Sequence, residues 1–393
     1  MKFANRMDRF GEGVFSMLAQ MKKKKLAEGE TIVDLSIGAP NIAPAPHILK
    51  ALSEACLVPE NYLLCNSGSA GTFGGSVRTG MRAAMEWRLN PETRRFALLL
   101  GSQEGLGAHR TFDRGRGRCG FGTGSVLSGV CGWSVFGGGR AYYMPQREEN
   151  HYIIDLKEIP EEVAQKAKFM IVSYPNNPTA VLAPDSFYEE LIAFAKKYDI
   201  IVLHDNAYSE LVFDGRTCGS FLRFPGAREV GVEFNSLSKT YGLAGARVGF
   251  CVGNEEVVSH LKTLKSNMDY GMFLPIQKAA IAAISGDQSC VASTRAAYER
   301  RRDCLCDGLA SIGWKMEKPE GTMFVWAPIP AGFTDSLEFV KALFEKAGVL
   351  VTPGSAFGPS GEGHVRMALV QDEDAIALAV RRIAESGILQ SNQ

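Results

Sequence analysis

The sequence predicts an α/β fold, with a large domain on a mostly parallel central sheet and a smaller α+β domain. Three observations predict it. Through the middle of the chain, apolar runs of strand length alternate with amphipathic helical patterns, the rhythm of a parallel sheet. Asn177, Asp205 and Lys239 each follow the end of a strand-like run, and open α/β sheets gather ligands outside those ends. Beyond the middle, strand and helix patterns mix in the manner of an α+β unit. The expected division is a large domain over 46–280, with 1–45 and 281–393 forming the small one.

In chain order, Glu12 to Glu28 reads as a helix, and its Lys22 to Lys25 run as a solvated face. Lys168 to Ser173 is a short apolar strand, closed by the turn Tyr174-Pro175-Asn176-Asn177-Pro178. Asp185 to Tyr198 is amphipathic at helical spacing. Ile200 to His204 is the next strand and runs into Asp205, and Gly249 to Gly253 is another. From about Gln277 the pattern predicts one long helix carrying Arg295 to Arg302. Thr322 to Ala327 and His364 to Val370 read as strands, and Asp372 to Glu385 as the last helix. The first 45 residues are expected to pack against the C-terminal region. No internal repeat is apparent.

The bulk numbers exclude several classes. With 43 basic and 43 acidic residues the formal charge is zero, so the chain carries no electrostatic footprint for nucleic acid. No apolar run approaches the 18 or so residues of a membrane span, and the first residues lack a signal-peptide core. Nine cysteines are scattered without metal-ligand spacing, which points to reduced thiols in a cytoplasmic protein and to no metal site.

The segment from Ser236 to Arg247 carries the most chemistry. Lys239 stands among the hydroxyls of Ser236, Ser238 and Thr240 and small residues, with Arg247 eight positions on. That layout suits a phosphorylated aldehyde held as a Schiff base: the amine bonds the carbonyl carbon, and hydroxyls and guanidinium take the phosphate. Alone, such a lysine is an ordinary solvated one; partner motifs upstream give it weight. Asp205 ends a strand apolar on both sides, where a carboxylate needs a cationic or donating partner. It fits a helix N-cap, or a partner for a protonated pyridine nitrogen that keeps the ring an electron sink. Tyr208 and Asn177 could reach the ring hydroxyl, although Asn177 alone also reads as a turn residue.

Ser173 to Thr179, His204 to Tyr208, the Lys239 segment and His364-Val365-Arg366-Met367 together resemble the class I/II aminotransferases of the fold-type I pyridoxal-phosphate enzymes, over nearly the whole chain. The resemblance implies pyridoxal 5′-phosphate as cofactor and Lys239 as Schiff-base lysine and proton shuttle. It implies Asp205 on the pyridine nitrogen, Tyr208 and Asn177 on the ring oxygen, and Ser236, Ser238 and Arg247 on the phosphate. Ser102 and Gln103 match the family's helix-start phosphate site. Arg366 matches the arginine that forks onto the substrate α-carboxylate, and Gly38 a substrate-contacting glycine. The implied function is ping-pong transfer of an amino group from an α-amino acid to a 2-oxo acid, with 2-oxoglutarate as acceptor. Ser266 to Gly271 resembles branches acting on aspartate or LL-diaminopimelate. A homodimer is expected by resemblance alone. Two rivals are a fold-type I β-lyase and a non-catalytic relative; transfer to an added keto acid separates the first, cofactor on Lys239 the second.

The resemblance breaks in places. The family often has glycine where Ala180 stands. From Gly107 to Gly139, 11 of 33 residues are glycine, without either periodicity, a composition that predicts disorder. Cys65 to about Trp87 is similarly patternless; its Gly68-Ser69-Ala70-Gly71 only faintly resembles a phosphate loop. Both tracts read as out-of-frame translation. Permitted codons for Gly124 to Trp133, read one nucleotide later, give Asp-Pro-Cys-Tyr-Pro-Val-Phe-Ala-Asp-Gly, family text at its usual distance. Codons for Gly115 to Thr123 and Leu64 to Gly71 behave likewise. As written, the chain lacks the family's ring-stacking tyrosine and the tyrosine near position 64 that reaches the partner's phosphate, which predicts weak cofactor binding.

Overall fold

The computed structural model describes residues 14–63, 95–108, 119–123, 140–269 and 271–390. Its strands, in chain order, are β1 (Val33–Asp34), β2 (Phe96–Leu99), β3 (Cys119–Thr123), β4 (Arg140–Met144), β5 (Ala167–Ser173) and β6 (Ile201–Asp205). They continue with β7 (Gly231–Ser236), β8 (Gly249–Gly253), β9 (Phe324–Pro328), β10 (Val349–Leu350), β11 (Thr352–Pro353) and β12 (His364–Ala368).

Seven of these strands make the central sheet, in the order β2-β8-β7-β6-β5-β3-β4. β4, β3, β5, β6 and β7 run parallel, and β8 alone is antiparallel to both its neighbours. The sheet is therefore mostly parallel, as the alternating pattern predicts. Register sets Ser173 beside Asp205 and Asp205 beside Phe234. The carboxyl ends of β5, β6 and β7 thus open at one edge, each followed by residues singled out above.

Helices cover the sheet. Asp185–Tyr198 buries Phe187, Leu191, Ile192 and Ala195 at helical spacing, and Asp199 ends it in the left-handed region at φ 54. The Asn254 side chain caps Glu255–Met268, accepting the Val257 N–H at 3.1 Å. Asp372 caps Glu373–Glu385 in the same way, through the Ala375 N–H at 2.8 Å.

A three-stranded antiparallel sheet, β11-β12-β9, lies with a second core that includes Leu18, Val33 and Leu35 from the N-terminal segment. β1 pairs in parallel with β10, so the N-terminal segment packs on the C-terminal region. Among the described residues no helix is long and apolar enough to cross a membrane.

Two expectations are corrected. The single long helix from Gln277 is two helices, Leu274–Ser285 and Ser289–Ser311. Gly286 ends the first, and the Gln288 side chain donates to the carbonyls of Ala283, Ile284 and Gly286. Asp287 then accepts the Ser289 N–H at 2.9 Å and restarts the helix. Within the glycine-rich tract, Cys119–Thr123 is a strand, paired with β4 and β5 despite its glycines, because parallel neighbours on both sides supply its backbone partners. The rest of 107–139 beyond Ala108, and the tract 65–87 with position 64, lie outside the described residues, as does Tyr270.

Candidate active site

Lys239 follows β7 on the one-turn helix Leu237–Thr240, which Ser236 caps by accepting the Ser238 N–H at 3.2 Å. This turn projects the amine back across the end of the sheet. Its Nζ donates to the Gly38 carbonyl at 2.9 Å and lies 5.9 Å from the centre of the Tyr208 ring. Desolvation, then the Arg366 charge, push the amine down to about 8, while Asp205 opposes them. A substantial neutral fraction near physiological pH follows.

Asp205 closes β6. Its Oδ1 is buried and has no hydrogen-bond partner among the described residues. Desolvation raises this carboxyl to about 6, against the pull of His204, the Ala207 N–H and Lys239. Tyr208, one helical step on, is buried, and its hydroxyl is pushed up by desolvation. Asn177 lies beside it and ties the β5 turn to the small sheet, its Oδ1 accepting Arg366 Nη1 at 3.2 Å.

Arg366 sits on β12 and is 2% exposed, with no carboxylate partner among the described residues. Nη2 donates to the Ser36 carbonyl at 3.0 Å, and the guanidinium stacks over Phe324 and Phe357. Nε has no partner. Burial lowers it to about 10, so it stays cationic at neutral pH. Gly38 faces it: a Cβ there would stand 3.5 Å from Nη2.

At the other end of the site, Arg247 takes φ 54 and donates Nη1 to the Ala244 carbonyl and Nη2 to the Leu100 carbonyl. Gly101 adopts φ +90 beneath it, where a Cβ would come within 2.7 Å of Nη2. Ser102 and Gln103 follow at the start of the helix Ser102–Ala108.

Every site residue named from the sequence lines one cavity of about 540 Å³. Arg247, Ser236, Ser238, Ser102 and Gln103 gather at one, cationic end; Lys239 and Asp205 lie between them and Arg366. The sequence did not point to Phe15, which also lines the cavity, or to Ser36, whose carbonyl holds Arg366. Phe15 reads there as one apolar residue of a surface helix. Only long-range packing brings that helix to the sheet's edge, and no local signal marks it.

The residues fit pyridoxal phosphate. A buried carboxylate oxygen without a donor suits a protonated pyridine nitrogen. The Ser238 hydroxyl is likewise buried without a partner among the described residues, and lines the same cavity as Arg247. A desolvated amine of lowered pKa is the nucleophile an aldehyde requires.

Comparison with known proteins agrees with this geometry. The family model for aminotransferase class I and II matches residues 135–383. LL-diaminopimelate aminotransferase 2 of Nostoc sp. is 37% identical over 400 residues, covering 99% of this chain and 99% of its own. The LL-diaminopimelate aminotransferase of Moorella thermoacetica is 39% identical over 372 residues, covering 92% and 93%. The substrate-bound structure of BacF from Bacillus subtilis superposes with a TM-score of 0.93 at 34% identity, covering 98% of each chain. The chain belongs to the class I and II aminotransferases, transaminases that work through pyridoxal 5′-phosphate.

Proposed function

We propose that this aminotransferase takes the amino group of LL-diaminopimelate, the substrate in the names of its relatives, and passes it to 2-oxoglutarate. The observation that carries the site assignment is the convergence of Lys239, the unpartnered Asp205 and two separated arginines on one cavity. Pyridoxal phosphate, when bound, supplies an electron sink for the pair left as the substrate Cα loses its proton. Asp205 would hold the proton of the ring nitrogen. Tyr208 and Asn177 would meet the ring oxygen. Ser236, Ser238 and Arg247, with the backbone N–H groups of Ser102 and Gln103, would hold the phosphate.

Arg366 forks onto the substrate α-carboxylate, and its lack of a resident carboxylate leaves it free to do so. Gly38 leaves room for that carboxylate. With its amine near 8, Lys239 is neutral in roughly one molecule in ten at pH 7. In that state it takes a proton from the substrate Cα and can deliver it again. The hydrogen bond to the Gly38 carbonyl keeps it aimed into the cavity between these events.

The division at 46–280 against 1–45 with 281–393 is part of this reading, as are a cytoplasmic location and a homodimer. Free cysteines among the described residues support a reducing compartment. An apolar surface around Leu57, Tyr62, Leu63, Met268 and Phe273 supports a second copy.

The test is a peptide mass map after incubation with pyridoxal phosphate and borohydride reduction. A pyridoxyl group on Lys239, and glutamate formed from LL-diaminopimelate with 2-oxoglutarate, are the expected results. No label on Lys239 removes the site assignment. Ammonia and pyruvate released without an acceptor from a cysteine S-conjugate, whose Cβ carries a leaving group, would instead identify a lyase reaction. The same map reads the two aberrant tracts directly, since peptides carrying Tyr-Pro-Val-Phe would establish a frame change in 107–139.

A further inference from the structure

Outside the cavity, three charged side chains meet where the helix Glu255–Met268 passes the loop before Ser102. Lys265, 6% exposed, donates Nζ to both oxygens of Glu104, at 2.9 and 3.2 Å, and to Asp269 Oδ2 at 2.5 Å. Glu104 Oε2 also accepts the backbone N–H of Leu100 at 2.6 Å. None of the three lines the cavity.

The residue carrying that N–H leads straight to the cationic end of the site. The carbonyl of the same Leu100 accepts Arg247 Nη2, and the Arg247 guanidinium rests on Gly101. Leu100 is thus gripped from two sides, by Glu104 through its N–H and by Arg247 through its carbonyl. We infer that Glu104, Lys265 and Asp269 are positioning residues for the phosphate cradle, setting how tightly the phosphorylated end of the cofactor is held. This rests on the reading of the cavity as a pyridoxal-phosphate site.

The physics supports a device with one working geometry. Two carboxylates this close repel, and burial favours a neutral Glu104, whose carboxyl is raised above the ordinary range by desolvation. Lys265 opposes that shift and fixes the carboxylate in the orientation that reaches Leu100. Asp269 holds Lys265 from the end of its own helix, so the amine cannot swing out to solvent. Without Lys265, the Glu104 carboxylate would be buried and uncompensated. It would turn outward to regain hydration, releasing the Leu100 N–H and with it the loop on which Arg247 rests.

The experiment uses the full-length apoprotein, titrated separately with pyridoxal phosphate and with pyridoxal, which lacks the phosphate, and followed by absorbance. Lys265→Met and Glu104→Ala are expected to weaken pyridoxal phosphate roughly 10- to 100-fold, the range typical of lost outer-shell support. Pyridoxal affinity should stay within about twofold, because only the phosphate end is displaced. Glu104→Gln keeps an acceptor for the Leu100 N–H and should stay within about threefold of wild type for both ligands. Inorganic phosphate should compete less well in Lys265→Met than in wild type.

Equal losses for both ligands, or no loss for either, would overturn the inference. If Lys265→Met does not fold, the contrast between Glu104→Ala and Glu104→Gln decides alone, and equal behaviour of that pair counts against it. A wild-type protein that binds neither ligand overturns the reading of the cavity itself; binding intact but indifferent to these variants overturns only the positioning role.

Discussion

Asp205 is held where a carboxylate is disfavoured, and the cost is measurable. Its pKa is raised from 3.8 to about 6 by desolvation. For a group whose folded pKa is raised, the stabilising contribution is present below pH 3.8 and lost as pH rises through about 6. The apoprotein at pH 8 therefore carries the full penalty. Asp205→Asn should make the apoprotein more stable at pH 8 by about 1–3 kcal/mol, with much less gain at pH 4, in paired thermal melts. The same variant should lose transaminase activity by orders of magnitude, since an amide cannot hold the ring nitrogen's proton as a carboxylate does. Ala180 gives a second test at this scale. It takes φ 61, in the left-handed region, and is fully buried. Glycine meets no Cβ penalty there, so Ala180→Gly should raise stability by about 0.5–1 kcal/mol after glycine's larger backbone entropy is counted. A lower urea midpoint than wild type would refute this. The φ angle also gives the physical reason why a glycine suits this position, which the sequence marked only as a departure from the resembled pattern.

At the scale of elements, strands and helices were legible where each buries one face and carries its own stop. Asp185–Tyr198 is such a case, found with its bounds because its apolar spacing and closing turn are local. The break at Gly286–Gln288 was not legible, because it depends on a glutamine side chain reaching back to three carbonyls. Nor was the role of Glu233 on β7, which no local sequence signal marks. It is fully buried beside its cross-strand neighbour His204, and accepts from Ser220 Oγ at 2.7 Å, the Phe221 N–H at 3.0 Å and Asn235 Nδ2 at 2.9 Å. Although burial acts to raise it, His204 and these donors hold the carboxyl below the ordinary range. Its contribution to stability is present above the ordinary glutamate pKa and lost as pH falls through the lower folded value. Glu233→Gln should cost about 2–3 kcal/mol at neutral pH and flatten the acid limb of the stability profile. An unchanged acid limb would mean that the network around β6 and β7 is structural filler without a charge requirement.

At the scale of the whole molecule, the candidate site was legible because its residues occur as short motifs: register brings the ends of β5, β6 and β7 together, and Arg366 reaches them from the separate sheet of β12. What covers the site was not legible: Phe15 arrives from a distant helix, and nothing in its neighbourhood in sequence marks it. The same limit applies to assembly. Leu57 is 82% exposed and Leu63 71%, with Tyr62 packed edge-on against Phe273 at 5.2 Å between ring centres. Leu57 follows the helix Pro46–Cys56, Tyr62 and Leu63 close the short turn after it, and Phe273 immediately precedes Leu274–Ser285; the two helices pack on each other. Exposed apolar side chains of this size are unfavourable in water and favour a covering partner. Sedimentation should therefore give twice the 42.7 kDa chain mass at micromolar concentration. The double variant Leu57→Asp, Leu63→Asp should sediment as the single chain, because two carboxylates buried in an interface core would each lose hydration without gaining a partner. If the wild-type chain sediments as a monomer at tens of micromolar, the dimer is excluded, and each active site must be complete within one chain. If instead the variant alone is monomeric and loses cofactor affinity together with its dimer, the apolar surface and the cofactor site are linked through the assembly.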